Sequence, residues 1–122
     1  MHKKILIADD EQNIVISLEF LMKREGFEVS IAHDGEEAVR RIRAERPDLV
    51  LLDVMMPKKS GFEVCQEIKA DPTLAAVRVL MLTAKGRDTE VAKGLALGAD
   101  AYMTKPFSTR ELVDKVRSLL EP

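Results

Sequence analysis

Four short stretches of the chain set polar side chains directly after apolar runs: "LIADDE" at residues 6 to 11, "LLDVMMP" at 51 to 57, "MLTA" at 81 to 84 and "YMTKPF" at 102 to 107. They supply Asp9 and Asp10, then Asp53, Thr83 and Lys105. Singly, each has an ordinary explanation: Asp10 as a helix cap, Asp53 as the end of a strand, Thr83 and Lys105 as loop residues. Gathered at one place, the three carboxylates would repel and raise one another's pKa unless a cation sat among them. Ligands that are all oxygen select a hard cation, and Mg2+ commonly uses one or two carboxylates together with waters and phosphate oxygens. A carboxylate beside Mg2+ and an ammonium suits phosphoryl chemistry, in which the carboxylate is the nucleophile and the cations stabilise the transferred charge. On this reading Asp53 is the acceptor, while Asp9 and Asp10 hold the ion directly or through water.

That chemistry requires the five residues to meet, and the apolar pattern supplies a way. Ile5 to Ala8, Leu49 to Leu52 and Val79 to Leu82 are short, unbroken aliphatic runs, as in strands buried on both faces of a parallel sheet. Phe27, Val29 and Ile31 alternate with Glu28 and Ser30, and Ala101 to Met103 is a brief run; both read as edge strands. Helical spacing of three to four links Ile14, Val15, Leu18, Leu21 and Met22, then Ala38, Val39 and Ile42, then Phe62, Cys65 and Ile68. Val91 and Leu95 belong to a fourth helix ending at Gly98, and Leu112, Val113, Val116, Leu119 and Leu120 to a fifth. Pro57 and Gly61 turn the chain from the third strand into the third helix.

Five alternating strands and helices imply a parallel sheet with crossover helices, and the edge assignments give the strand order 2-1-3-4-5. The fold class is therefore α/β, a flavodoxin-like (βα)5 three-layer sandwich. In such a sheet the winding reverses between strands one and three, and ligands bind in the crevice at the carboxyl ends of the strands there. Asp9, Asp10, Asp53, Thr83 and Lys105 all fall at carboxyl ends.

Composition narrows the remaining functions. The 122 residues suit one domain, either stand-alone or one module of something longer. A net charge of -2 offers no field for nucleic acid, and the single cysteine, Cys65, reads as a buried hydrophobe in a cytoplasmic protein. The apolar start is cut short by two aspartates, so neither a signal peptide nor a membrane span is expected. There is no G-x-x-x-x-G-K-[ST] loop and no G-x-S-x-G, and neither histidine sits in a metal-spaced motif. Arg40, Arg41, Arg43 and Arg46 are interleaved with Glu36, Glu37 and Glu45, which reads as a solvated helix face.

The ordered set of acid pair, acceptor aspartate, threonine, aromatic and Lys-Pro resembles the receiver domain of two-component response regulators, over the whole chain. The resemblance implies a Mg2+-dependent, phosphorylation-activated switch that catalyses its own phosphotransfer and autodephosphorylation. Asp53 would take a phosphoryl group from a sensor histidine kinase or a histidine phosphotransfer protein. Asp10, Asp53 and the backbone carbonyl of Met55 would bind Mg2+, with Asp9 acting through water. Thr83 would donate its hydroxyl to the phosphoryl group and Lys105 would pair with another of its oxygens. A cis peptide before Pro106 would aim Lys105 into the site. Tyr102 would turn inward with Thr83, and the surface of helix four, strand five and helix five would change for an output domain or partner, with a phosphorylation-dependent homodimer left open. Met55 and Lys85 would line the mouth of the site and tune phosphate lifetime, and Ala84 would leave room for the donor.

The competing reading is an aspartyl-phosphate phosphatase or phosphotransferase of a related α/β fold. Such enzymes carry a second acid two residues after the nucleophile, where this chain has Met55. A flavodoxin-like nucleotide binder would need a Ser, Thr and Gly loop after the first strand, and "ADDEQN" would repel phosphate.

Overall fold

The computed structural model describes residues 3–84 and 88–121. Strands β1 (Lys4–Ala8), β2 (Glu28–Ala32), β3 (Leu49–Asp53), β4 (Arg78–Ala84) and β5 (Ala101–Lys105) alternate with helices α1 (Gln12–Arg24), α2 (Gly35–Glu45), α3 (Gly61–Ala70), α4 (Asp88–Ala96) and α5 (Thr109–Leu120). A single 3-10 turn at Pro72–Leu74 leads from α3 into β4. All strand pairs are parallel and the order is β2-β1-β3-β4-β5, as the buried and alternating runs imply.

Strict alternation along the central strands builds a core on each face of the sheet. Leu6, Ala8, Val50, Leu52, Val79 and Met81 face α2 and α3, where Ala38, Val39, Ile42, Val64, Cys65 and Ile68 cover them. Ile5, Ile7, Leu49, Leu51, Leu80 and Leu82 face the opposite way and pack on Val15, Leu18 and Met22 of α1 and Leu112 and Val116 of α5. Each such aliphatic side chain contributes about 1.5–3 kcal/mol by leaving water, which makes β3 a rigid mount for the acid at its end. All five residues of β3, Asp53 included, are buried.

The starts of α2, α3 and α5 are fixed by side chains at their caps. Asp34 accepts a hydrogen bond from the Glu37 N–H at the start of α2, and Ser60 forms a reciprocal capping box with Glu63 at the start of α3. Ser108 accepts from the Glu111 N–H to begin α5.

The fourth helix forms where Val91, Leu95 and Gly98 place it, but its apolar residues are only partly covered. Leu95 is 42% exposed rather than turned to the core, and Val91 is only half-buried. Gly94 instead lies close to the sheet, with a hypothetical β-carbon there 3.6 Å from Met81 Cγ and 3.7 Å from Phe62 Cε1. A glycine that brings the helix backbone this near turns the adjacent Leu95 outward. Gly98 has φ 103°, the left-handed geometry of a residue just past a helix end. No helix among the described residues is long and apolar enough to cross a membrane.

Candidate functional site

The carboxyl ends of the strands converge on one rim. Asp9 follows the last residue of β1, Asp53 is the last residue of β3, Thr83 is the penultimate residue of β4 and Lys105 ends β5. Because β1 and β3 are direct neighbours, with Ala8 opposite Leu52, the acids after them arrive side by side. A ligand oxygen from each of Asp9, Asp10 and Asp53 can be chosen so that all lie within 4.8 Å of one another.

Lys105, at the end of β5, reaches over β4 to these acids. Its Nζ lies 3.1 Å from Asp9 Oδ2, 3.3 Å from Asp53 Oδ1 and 3.9 Å from Glu11 Oε1. Burial opposes charge on the ammonium, but Asp53 and Asp9 outweigh it and hold the lysine pKa above its ordinary value. The Lys105–Pro106 peptide bond is cis.

The two acids of the pair have different surroundings. Asp9 is fully buried, and its Oδ1 accepts a 2.9 Å hydrogen bond from the Glu11 N–H. Asp10 is exposed. It does not cap α1, whose first turn has no side-chain cap.

Asp53 is 6% exposed, and burial, followed by the nearby Asp9 charge, pushes its pKa up to about 6 despite the opposing effect of Lys105. Three carboxylates thus gather near one ammonium, and burial disfavours the charge of the central one, Asp53. An all-oxygen donor set in that state fits a hard divalent cation.

Thr83 is 1% exposed, and its hydroxyl has no hydrogen-bond partner. Buried hydroxyls are rarely left unpaired, because an unmade hydrogen bond costs about 1–3 kcal/mol. A cleft of about 270 Å3 opens above Asp53, lined by Asp10, Glu11, Val54, Met55, Ala84 and Lys105. Met55 is 65% exposed at its lip. Tyr102 lies near the start of β5, 42% exposed, on a separate hollow of about 800 Å3 between β5 and α5. The larger hollow also carries acids and a lysine, Asp100, Glu111, Asp114 and Lys115, but among the described residues the acids gathered closely enough to share a cation are Asp9, Asp10 and Asp53, so the chemistry is placed at the smaller cleft. Lys85 lies outside the described residues.

Glu11 was given no part by its sequence position, yet it lines the cleft and approaches Lys105. The one signal for it was its place as the third consecutive acid after β1.

The raised pKa of Asp53 has a measurable consequence in metal-free protein. The folded state holds this proton up to about pH 6 while the unfolded chain loses it near the ordinary value of 3.8, so ionising Asp53 lowers stability as pH rises through that window. Asp53→Asn should therefore stabilise the chelator-treated protein at pH 7.5 by about 3 kcal/mol. Thermal melts should show that gain shrinking to nothing below pH 4.

Known proteins resemble the chain over nearly all of its length. Residues 5–117 match the family model for the response regulator receiver domain. The chain is 48% identical over 120 residues to the alkaline phosphatase synthesis transcriptional regulatory protein PhoP of Bacillus subtilis, covering 98% of this chain and 49% of that protein. It thus spans about half the length of that relative. Among solved structures, a CheY-like response regulator receiver domain protein of Methanospirillum hungatei superposes with a TM-score of 0.91 at 31% identity, covering 98% of this chain and 94% of that one. The chemotaxis protein CheY4 of Vibrio cholerae gives a TM-score of 0.91 at 29% identity, covering 98% of this chain and all (100%) of that one. The match to the family model and the identity to PhoP both extend over nearly all of the chain, and the chain belongs to the receiver domain family of two-component response regulators.

Proposed function

We propose that Asp53 accepts a phosphoryl group in a Mg2+-dependent reaction, and that its acyl phosphate switches the surface formed by α4, β5 and α5. The observation that carries this reading is the buried Asp53 carboxylate at a rigid strand end, between one ammonium and an acid pair. Asp10, Asp53 and the Met55 carbonyl would hold Mg2+, with Asp9 acting through water. Bound there, the ion neutralises the acids and the charge of the incoming phosphoryl group.

The steps then belong to the chain's own groups. An Asp53 carboxylate oxygen attacks phosphorus, the bond from phosphorus to the donor nitrogen or oxygen breaks, and the donor leaves with that electron pair. Lys105 pairs with a phosphoryl oxygen as charge moves onto it. The Thr83 hydroxyl, unpaired beforehand, donates to another oxygen and so gains the hydrogen bond it lacked. Drawing Thr83 inward leaves space that Tyr102 can fill from the β5 face, and partners read the altered surface. Ala84 leaves the cleft open to the donor, while Met55 at its mouth governs how fast water removes the phosphoryl group.

The phosphodonors would be a sensor histidine kinase or histidine phosphotransfer protein of the cytoplasm, and the reader an output domain or a separate partner. The chain would act as one domain, either alone or as part of a longer regulator. Intact-mass spectrometry after incubation with Mg2+ and acetyl phosphate tests the acceptor. One phosphoryl adduct is expected on the wild type and none on Asp53→Asn; equal adducts on both would refute the assignment.

A further inference from the structure

The loop between β3 and α3 carries the Met55 carbonyl, and the structure ties it down at two points. At its base the Gly61 N–H donates to the Val54 carbonyl at 2.8 Å. At its tip it leans on the start of α2. There the Gly35 N–H donates to the Pro57 carbonyl at 3.2 Å, and Lys58 Nζ lies 3.8 Å from Asp34 Oδ2. Lys58 itself takes φ 71°, a left-handed turn that sends the next residue back over α2, and the Lys59 N–H closes that turn on the Pro57 carbonyl at 2.8 Å.

Gly35 is what permits the approach. Its φ does not lie in the left-handed region, so glycine is not needed there for backbone freedom. It is needed for space: a β-carbon at this position would overlap the Lys59 carbonyl oxygen and lie 2.6 Å from the Lys59 carbonyl carbon. The obstacle is backbone, so a side chain at residue 35 can be accommodated only if the loop moves off α2. Such a movement would carry along Met55, which lies between the two anchor points.

We infer that Gly35 is a positioning residue for the metal site, acting through the loop from Val54 to Ser60 to place the Met55 carbonyl. The inference rests on the proposed Mg2+ site and extends it to a residue on a different helix. Groups that orient metal ligands without touching the metal typically cost about 10–100-fold in affinity when altered. Gly35→Ala should therefore raise the Mg2+ dissociation constant about tenfold.

Calorimetric Mg2+ titration and amide hydrogen exchange of residues 54–60 in metal-free protein make the test. Faster exchange in that loop together with the weaker Mg2+ binding is expected. Gly98→Ala serves as a control, being strained at φ 103° yet distant in the chain from every site residue except those of β5. It should lose stability and keep its Mg2+ affinity. Should Gly35→Ala fail to fold, Asp34→Ala loosens the same first turn without adding atoms, and should show the same two changes to a smaller degree. Unchanged Mg2+ affinity in a folded variant, with a wild type that binds Mg2+ normally, overturns the role of Gly35 alone. A wild type that binds no Mg2+ overturns the metal site itself.

Discussion

Replacing Lys105 with methionine should slow phosphoryl acceptance from acetyl phosphate at saturating Mg2+ by about 100-fold or more, the usual cost of removing one group that stabilises transition-state charge. Lys105 approaches both Asp9 and Asp53, and among the described residues no other ammonium or guanidinium lies within ion-pair distance of either. Its loss should also destabilise the metal-free fold. Breaking a buried ion pair usually costs about 3–5 kcal/mol because a charge is stranded. Here protonation limits the cost: Asp53 already titrates at about 6, and without the ammonium its pKa moves higher. At pH 7 the variant can take up that proton, holding the loss to about 2 kcal/mol. The difference should widen as pH rises, because the folded variant then retains a proton that the wild type has released, and should narrow toward pH 5 to the part that comes from the stranded Asp9. Thermal melts in chelator across that range measure it.

Gly61→Ala should be harmful for a reason opposite to helix propensity. Alanine is favoured over glycine inside a helix by about 1 kcal/mol. Yet a β-carbon on Gly61 would overlap the carbonyl oxygen of Asp53 and lie 2.9 Å from the Val54 Cα. The main chain of the acceptor must then move. Forced overpacking costs about 1–3 kcal/mol, and misplacing a reacting group by about 1 Å can cost 100-fold in rate. Urea denaturation and the acetyl phosphate rate should therefore both suffer. Ser60→Ala makes the contrast, since it removes the capping box next to Gly61 without adding bulk. It should cost about 1 kcal/mol of stability and leave the rate unchanged.

The sheet was legible because its signals are redundant. Ile5–Ala8, Leu49–Leu52 and Val79–Leu82 are apolar on both faces, and the structure sends their alternate residues into two separate cores. A strand buried in this way must lie inside the sheet, which leaves β2 and β5 for the edges. The gathering of Asp9, Asp10 and Asp53 followed from the same topology, since parallel strands finish at one rim.

Other features depend on distances that one-dimensional patterns do not carry. Neighbouring Asp9 and Asp10 look equivalent in sequence, yet Asp9 is buried and Asp10 exposed. Leu95 has the spacing of a core residue but is displaced outward by the close approach of Gly94. The contact of Gly35 with Lys59 joins residues from different elements and needs no special φ, so nothing local announces it. The reach of Lys105 to Glu11 and the unpaired Thr83 hydroxyl likewise appear only in three dimensions.

The account stands on the Asp53 carboxylate as the atom group that receives phosphorus. Borohydride reduction of protein treated with Mg2+ and acetyl phosphate converts an acyl phosphate of aspartate to homoserine, which peptide mapping can locate. Homoserine at position 53, formed only when Mg2+ and the phosphodonor are both present, is the predicted result. Conversion at another acid, or none at Asp53 in protein that carries a phosphoryl adduct, would contradict it.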